Sequence, residues 1–310
     1  MSHTILVTGG AGNIGSSLVS KLSEDKNNKI VIVDNLLTGD KHKVPNRENV
    51  IFIKCDVNNY NDISAVFHTF HFNVVFHFAA VVGVQRTLEN PLWVLEDIKG
   101  FENLLNLAKN TNVKKVYFSS SSEVYGEPFE IPQNEHTTPL NSKLPYAIVK
   151  NVGEAYLKSY QLEFDLDYTI FRFFNTYGPN QSTDFVIPKF ISLALENKDI
   201  TIYGDGMQTR TFCHIDDNID TILKIHNEGL VRNDVINIGN DIEFTIVQLA
   251  ELVIKLTNSK SKIVHLPALK EGDMTRRCPD VALMKSVLGR ELLSAEAGIE
   301  KYINFLLKNK

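Results

Sequence analysis

The run Gly9-Gly10-Ala11-Gly12-Asn13-Ile14-Gly15 constrains the fold more than any other stretch of this sequence. It directly follows a short, apolar, β-branched segment at residues 4–8. A helical pattern then begins, with Ile14, Leu18, Val19 and Leu22 spaced to share one face. A second strand-like run at residues 29–33 ends at Asp34. Strand, glycine turn, helix and strand make a βαβ unit.

The same alternation continues along the chain. Strands are predicted at 50–53, 74–78, 115–118 and 168–173, with helices at about 63–70, 92–109 and 146–163. Such alternation predicts an α/β fold, a doubly wound parallel sheet of the Rossmann type with helices on both faces. After Asn175 the rhythm loosens, and Gly178-Pro179 and Gly204-Asp205-Gly206 are turn signals. We expect residues 1–175 to form the dinucleotide-binding domain, with returning segments near 211–240. Residues 176–310 are expected to be mainly a smaller α/β part that binds substrate. No Pro- or Ser-rich linker divides them.

Composition narrows the function classes. The 310 residues are 43% hydrophobic and 22% charged, the mix of an ordinary globular protein rather than a disordered chain. Net charge is −5 with no basic block, so no nucleic-acid partner is expected. Cys55, Cys213 and Cys278 are odd in number and far apart, which argues against a metal site and fits a reducing, cytoplasmic setting. No apolar run approaches the ~20 residues that span a bilayer, so no membrane association is expected, and the start of the chain lacks a signal-peptide pattern.

The glycine turn predicts a dinucleotide site. Gly9, Gly12 and Gly15 allow a tight bend, close approach of backbone to a pyrophosphate, and close packing of helix on strand. The helix start at Asn13 and Ile14 offers N–H groups to the phosphates. Asp34 lies nineteen positions after Gly15, where a carboxylate accepts both ribose hydroxyls of NAD and repels the extra phosphate of NADP. NAD is therefore the expected cofactor. Asp56-Val57, after the third strand, either contacts the adenine or caps the next helix.

Tyr146 and Lys150 form Y-x-x-x-K, and residues i and i+4 share one helix face. An ammonium beside a phenol stabilises the phenolate, which can then take a hydroxyl proton while hydride leaves the same carbon. Ser119 to Ser122 follow the strand at 116–118, at the carboxyl end where ligands of open α/β sheets sit. A hydroxyl there can share a proton with Tyr146 and hold a substrate oxygen; the other reading is an ordinary polar turn.

With these motifs the sequence resembles the extended short-chain dehydrogenase/reductase superfamily, in its nucleotide-sugar epimerase/dehydratase branch. The resemblance spans nearly the whole chain. It rests on residues 8–15, His77-Phe78-Ala79-Ala80, residues 119–126 and Tyr146 to Lys150. It continues through Arg172-Phe173-Phe174-Asn175-Thr176-Tyr177-Gly178-Pro179, Tyr203-Gly204-Asp205-Gly206, Thr209-Arg210-Thr211-Phe212 and Asn237-Ile238-Gly239-Asn240. It implies that Tyr146 is the base for oxidation at C4 of a sugar, that Lys150 tunes it and binds the nicotinamide ribose, and that Ser121 is the catalytic hydroxyl, with Ser122 and Glu123 completing the expected catalytic set. Asn35, Phe78, Ala79, Ala80, Ser119 and Phe173 join the cofactor set. Val82, Arg86, Ser121, Glu123, Asn175, Val186, Arg210 and Arg277 form the substrate set. A UDP-sugar substrate and a homodimer built from the helices at 92–109 and 146–163 are also implied.

Some positions depart from the pattern. Asn13 replaces an aromatic residue, Asp97 stands where the family often has Asn near the cofactor, and Lys270 takes the place of an arginine. The pair Ser122-Glu123 before Val124-Tyr125-Gly126 looks most like UDP-glucuronate decarboxylases, as does the segment 273–280. Residues 141–145 instead look epimerase-like. Dehydratases of the 4,6 or 5,6 type are further alternatives, and a non-catalytic NAD-binding protein is the alternative of another class. Arg86, in the segment 81–86, either meets a substrate carboxylate or is a solvated loop residue.

Overall fold

The structure, a computed structural model, describes residues 3–82, 84–267 and 276–308. In chain order its first elements are β1 (His3–Thr8), α1 (Asn13–Leu22), β2 (Asn28–Asp34), β3 (Val50–Lys54), α2 (Tyr60–Phe70), β4 (Val74–His77), α3 (Val84–Glu89), α4 (Pro91–Asn110), β5 (Lys115–Ser121), α5 (Pro145–Phe164) and β6 (Asp167–Phe173). Then come β7 (Thr176–Tyr177), α6 (Val186–Leu195), β8 (Ile200–Tyr203), β9 (Thr209–Thr211), β10 (Cys213–His214), α7 (Ile215–Glu228) and β11 (Asp234–Ile238). The chain finishes with β12 (Glu243–Thr245), α8 (Ile246–Thr257), β13 (Ile263–Leu266), β14 (Arg276–Arg277), α9 (Ala282–Leu288) and α10 (Ala295–Lys308).

Among the described residues, seven strands form one sheet in the order β11-β6-β5-β4-β1-β2-β3. The pairs within β6 to β3 are parallel. Leu6, Val31, Val33, Val75, Val116 and Phe118 face a core completed by α2, α4 and α5. The alternate residues Ile5, Val7, Ile30 and Ile32 are equally buried. A sheet covered on both faces explains why its strands read as continuous apolar runs rather than as alternating ones. From β1 the chain runs outward to β2 and β3, then returns to β4, β5 and β6 on the other side. The carboxyl ends of β1 and β4 thus flank the switch point where such sheets bind ligands.

The chain clusters into two compact units. One comprises 1–124, 140–173 and 222–236, the other 125–139, 174–221 and 237–310. In the second unit, β9 sits between β12 and β14, and α6, α8 and α10 pack a separate apolar core around Ile191, Leu249, Val253 and Ile299. The stretch 235–238 joins the main sheet as β11.

In the first unit α4 and α5 pack closely at Gly153, where an added Cβ would lie 2.6 Å from Phe101 and 2.8 Å from Phe118. Tyr156 and Tyr160 donate to Glu102 Oε1 at 2.7 Å and Asn106 Oδ1 at 3.0 Å, tying the same two helices together. Gly153→Ala forces both rings aside, so we expect a loss of about 1–3 kcal/mol in urea unfolding despite the better helix propensity of alanine.

Candidate active site

The glycine turn fits a dinucleotide. Gly9 has φ +67°, and a Cβ there would lie 2.6 Å from Ala79 N. A Cβ on Gly15 would collide with Gly9 O. The turn therefore packs Gly9 against the segment after β4 and the start of α1 against Gly9 and Gly10, with no room for side chains between backbones. The first-turn N–H groups of α1 have no acceptor within their own helix. Gly12 is the N-cap, and its side-chain-free position leaves that end open to a phosphate. Asn13 carries a buried side-chain oxygen without a hydrogen bond, and its backbone carbonyl accepts from Ser17 Oγ at 2.8 Å. Ile14 is half-buried in the same turn.

Asp34 closes the site from β2. Its carboxylate accepts from Ala11 N at 3.0 Å and Leu36 N at 2.8 Å, which fixes both oxygens at the mouth of the turn. Gly39 comes so close that a Cβ there would lie 2.7 Å from Asp34 Oδ1. A carboxylate held this way favours ribose hydroxyls over a phosphate. Asp34→Ala is expected to weaken NAD binding by about tenfold or more, the effect of losing charge-assisted hydrogen bonds. Binding of NADP should weaken less or improve, which parallel titrations with both dinucleotides would measure.

Next to it, Asn35 Nδ2 donates to Asp56 Oδ2 at 3.2 Å. Asp56 does not cap α2. That role falls to Asn59, whose side chain accepts from Asn61 N, while Asp56 accepts from Asn58 N at 2.9 Å in a turn of its own. The spacing of three residues between Asp56 and Asn59 made the two indistinguishable in sequence. Val57 is buried in the core beneath.

Beyond β4, Phe78 and Ala79 donate their N–H groups to Thr8 Oγ1 at 3.2 Å each, and Ala80 follows half-buried. Thr8 Oγ1 also meets His77 Nδ1 at 2.7 Å. Burial, reinforced by the Lys150 charge, pushes the His77 imidazole down to about 3, so it is neutral. Phe173, at the end of β6, packs edge-on against Phe78 with centroids 6.2 Å apart. Val82 O accepts from Arg86 at 2.6 Å. Arg86 lies on α3 rather than in a loop, because residues 84–89 close one and a half helical turns ahead of Pro91.

Three of the four serines are not a turn. Ser119, Ser120 and Ser121 are the last residues of β5, paired with Phe171, Arg172 and Phe173 of β6, and only Ser122 begins the 3-10 segment that includes Glu123. Serine has little strand preference, so its identity hid what the sheet ladder imposes. Ser121 Oγ accepts from Glu123 N at 3.2 Å. Ser122 is buried and Glu123 half-buried.

Tyr146 and Lys150 share the inner face of α5. Lys150 is 2% exposed, and its Nζ lies 5.7 Å from the Tyr146 ring centre and 4.9 Å from that of Phe118. It donates to Ser119 O at 2.6 Å and reaches Ser119 Oγ at 3.5 Å. Burial lowers the Lys150 ammonium to about 8, opposed by the Asp97 carboxylate. One turn further along α5, Glu154 accepts from Ser120 Oγ at 2.6 Å and from Arg172 at 2.9 and 2.7 Å, all inside the protein. Sequence reasoning missed this Ser120–Glu154–Arg172 cluster. Its signal was the continued i, i+4 row Tyr146, Lys150, Glu154.

In the second unit, Arg210 of β9 stands in register with Arg277 of β14 on one side and Phe244 of β12 on the other. Both arginines are buried. Asn175 has φ +34° and donates to Thr211 O at 2.9 Å, which holds it beside the strand that carries Arg210. Val186 opens α6. Gly83, Lys270 and residues 273–275 lie outside the described residues.

The sequence matches the family described as NAD dependent epimerase/dehydratase over residues 5–239. The chain belongs to that family. Its cofactor is accordingly NAD, and the chain is an enzyme. It is 35% identical to the UDP-N-acetyl-alpha-D-glucosaminuronate decarboxylase of Bacillus cytotoxicus, over 93% of this chain and 92% of that one. It is 33% identical to UDP-glucuronic acid decarboxylase 1 of Danio rerio, over 97% of this chain and 72% of the relative. The crystal structure of UDP-glucose 4-epimerase from Thermotoga maritima, solved with UDP-glucose, superposes with a TM-score of 0.91 at 31% identity, covering 99% of each chain. The relatives thus divide between reactions, and the family alone does not choose among them. Among the described residues no helix is long and apolar enough to cross a membrane.

Proposed function

We propose that this family member is a UDP-glucuronate decarboxylase that yields a UDP-pentose, with oxidation at C4 as its first step. The observation that carries the reading is the Ser121-Ser122-Glu123 segment that ends β5, the strand whose Ser119 carbonyl receives the buried Lys150. Two decarboxylases among the relatives support it.

NAD+, when bound, accepts the hydride from C4. Gly9, Gly12, Asn13, Ile14 and Gly15 hold its diphosphate, and Asp34 holds its adenosine ribose. Tyr146 takes the proton of the C4 hydroxyl as the C4–H bond breaks, leaving a 4-keto sugar. Lys150 keeps positive charge beside the phenolate. Ser121 holds the oxygen that becomes the ketone. The C6 carboxylate is then β to a carbonyl. The C5–C6 bond breaks, CO2 leaves, and the electron pair moves into the C4 carbonyl as an enolate. A proton goes to C5, and Glu123 is assigned to supply it. Return of hydride to C4 and of the proton from Tyr146 completes the product. Arg210, Arg277 and Asn175 hold the UDP part, and Arg86 is offered for the sugar carboxylate.

The second reading is a 4-epimerase. Its support is the epimerase-like segment 141–145 and the Thermotoga maritima structure. We also read α4 and α5 as a homodimer face, because both carry large exposed apolar side chains, among them Leu92, Trp93, Leu162 and Phe164. Light scattering at twice the chain mass would support that.

The enzyme and NAD+ should be incubated separately with UDP-glucuronate, UDP-glucose and UDP-N-acetylglucosamine, and products followed by mass spectrometry and proton NMR. Loss of CO2 from UDP-glucuronate is expected. An isomer of unchanged mass would favour the epimerase reading, and loss of water a dehydratase.

A further inference from the structure

The sheet β12-β9-β14 sets two buried arginines next to each other. Arg210 of β9 is in register with Arg277 of β14, and neighbouring strands lie about 4.8 Å apart. Like charges directly across a ladder repel. β14 is only two residues long, so few backbone bonds oppose that repulsion. Just beyond it, Cys278 O accepts from Gln133 N and Gln133 O accepts from Asp280 N, both at 2.8 Å. Those bonds hold the chain after β14 rather than the strand itself.

Successive side chains of a strand point to opposite faces. Arg210, Arg277 and Phe244 therefore share one face of this sheet, and Thr209, Glu243 and Arg276 share the other. On that second face the Glu243 carboxylate, carried by β12, reaches across β9. It accepts from Thr209 Oγ1 at 2.8 Å. It also accepts from Arg276 on both oxygens, from Nε at 2.8 and 3.1 Å and from Nη2 at 2.5 Å. One carboxylate thus joins β12 to β14 over the central strand. A single, loosely held ion pair at the surface contributes little. This one is forked, its carboxylate is anchored on Thr209, and the Glu243 side chain is only 20% exposed. A fork of this kind fixes geometry as well as adding energy.

We propose that the Glu243–Arg276 pair is a clasp that keeps Arg277 beside Arg210, and so preforms the place that takes the diphosphate of a nucleotide sugar. Both are positioning residues. They stand on the face away from the two buried arginines and act through the strands that carry them. The inference rests on reading Arg210 and Arg277 as the residues that hold the UDP part. The clasp also reverses the sign that charge alone would give. Glu243→Gln removes a negative charge close to the arginines, which by attraction alone should tighten the binding of an anion. Loss of the clasp weakens it instead.

Binding of UDP to the NAD-saturated protein is measured by isothermal titration calorimetry, with urea unfolding to show that each variant is folded. Glu243→Gln is expected to bind UDP about fivefold more weakly, the scale of one forked, charge-assisted pair. Its affinity for NAD should stay as in the parent. Exchanging the partners, Glu243→Arg with Arg276→Glu, keeps both the net charge and the pairing. The exchanged protein should bind UDP within about twofold of the parent, as expected where two residues act through their mutual contact. Unchanged or tighter UDP binding by folded Glu243→Gln overturns the proposal. A loss that the exchange does not repair overturns it too, because the side chains would then matter singly rather than as a pair. Arg277→Met tests the underlying reading. If that variant binds UDP like the parent, the site reading fails and the clasp falls with it. If it weakens UDP binding while folded Glu243→Gln does not, the reading stands and the clasp alone fails. Should Glu243→Gln not fold, the exchanged protein is compared with Arg276→Glu alone: restored binding in the exchange supports the clasp, and equal binding by the two overturns it.

Discussion

Tyr146→Phe is expected to lower turnover by about a thousandfold, within the range that a positioned acid–base group contributes, while leaving the affinity for NAD nearly unchanged. The substitution removes one oxygen. The phenyl ring keeps its place on α5 beside Lys150, and Lys150 keeps its bonds to Ser119. What is lost is the atom proposed to take the C4 hydroxyl proton. Turnover by NMR and NAD binding by fluorescence titration separate the two effects. A variant that lost NAD binding in parallel would mean that the tyrosine serves the fold or the cofactor rather than the proton.

The largest stability effect is expected at Glu154. Its carboxylate takes two hydrogen bonds from Arg172 and one from Ser120, with both charged side chains almost fully buried. Glu154→Ala takes two charge-assisted hydrogen bonds from a guanidinium buried inside the protein, and breaking such a pair from one side costs about 3–5 kcal/mol. Urea unfolding measures this. Replacing both partners by methionine should recover most of the loss, because no unpaired charge is then buried. Since Glu154 lies one turn from Lys150, the alanine variant should also be less active at temperatures where it is still folded.

The fold was legible because its signals are local and agree with one another. The glycine turn, the apolar runs and the helical spacing each fix an element, and a parallel sheet follows from their alternation. The α5 row was equally legible at Tyr146 and Lys150, since i and i+4 must share a face. What the sequence concealed depends on contacts between distant segments. Ser119, Ser120 and Ser121 look like a turn by composition, yet pairing with β6 draws them into a strand. Glu154 looks like a surface residue of a helix until Arg172, eighteen positions away, is brought opposite it. Asp97 stood out only as a departure from a family pattern; the hydrogen bond it accepts from Val81 N, sixteen positions away, required α4 to pack beside the turn after β4. Arg210 and Arg277 are 67 positions apart, and only the pairing of β9 with β14 makes them neighbours.

The most direct test of the account follows the hydrogen at C4. UDP-glucuronate carrying deuterium at C4 is incubated with the NAD-loaded enzyme in ordinary water, and the product is examined by NMR and mass spectrometry. The account predicts that the label stays at C4 of a product that has lost CO2, because hydride leaves and returns without exchanging with solvent. It also predicts a brief rise in reduced-nicotinamide absorbance, slowed by the deuterium. Product that has lost the C4 label to water, or turnover without any reduced nicotinamide, would contradict it.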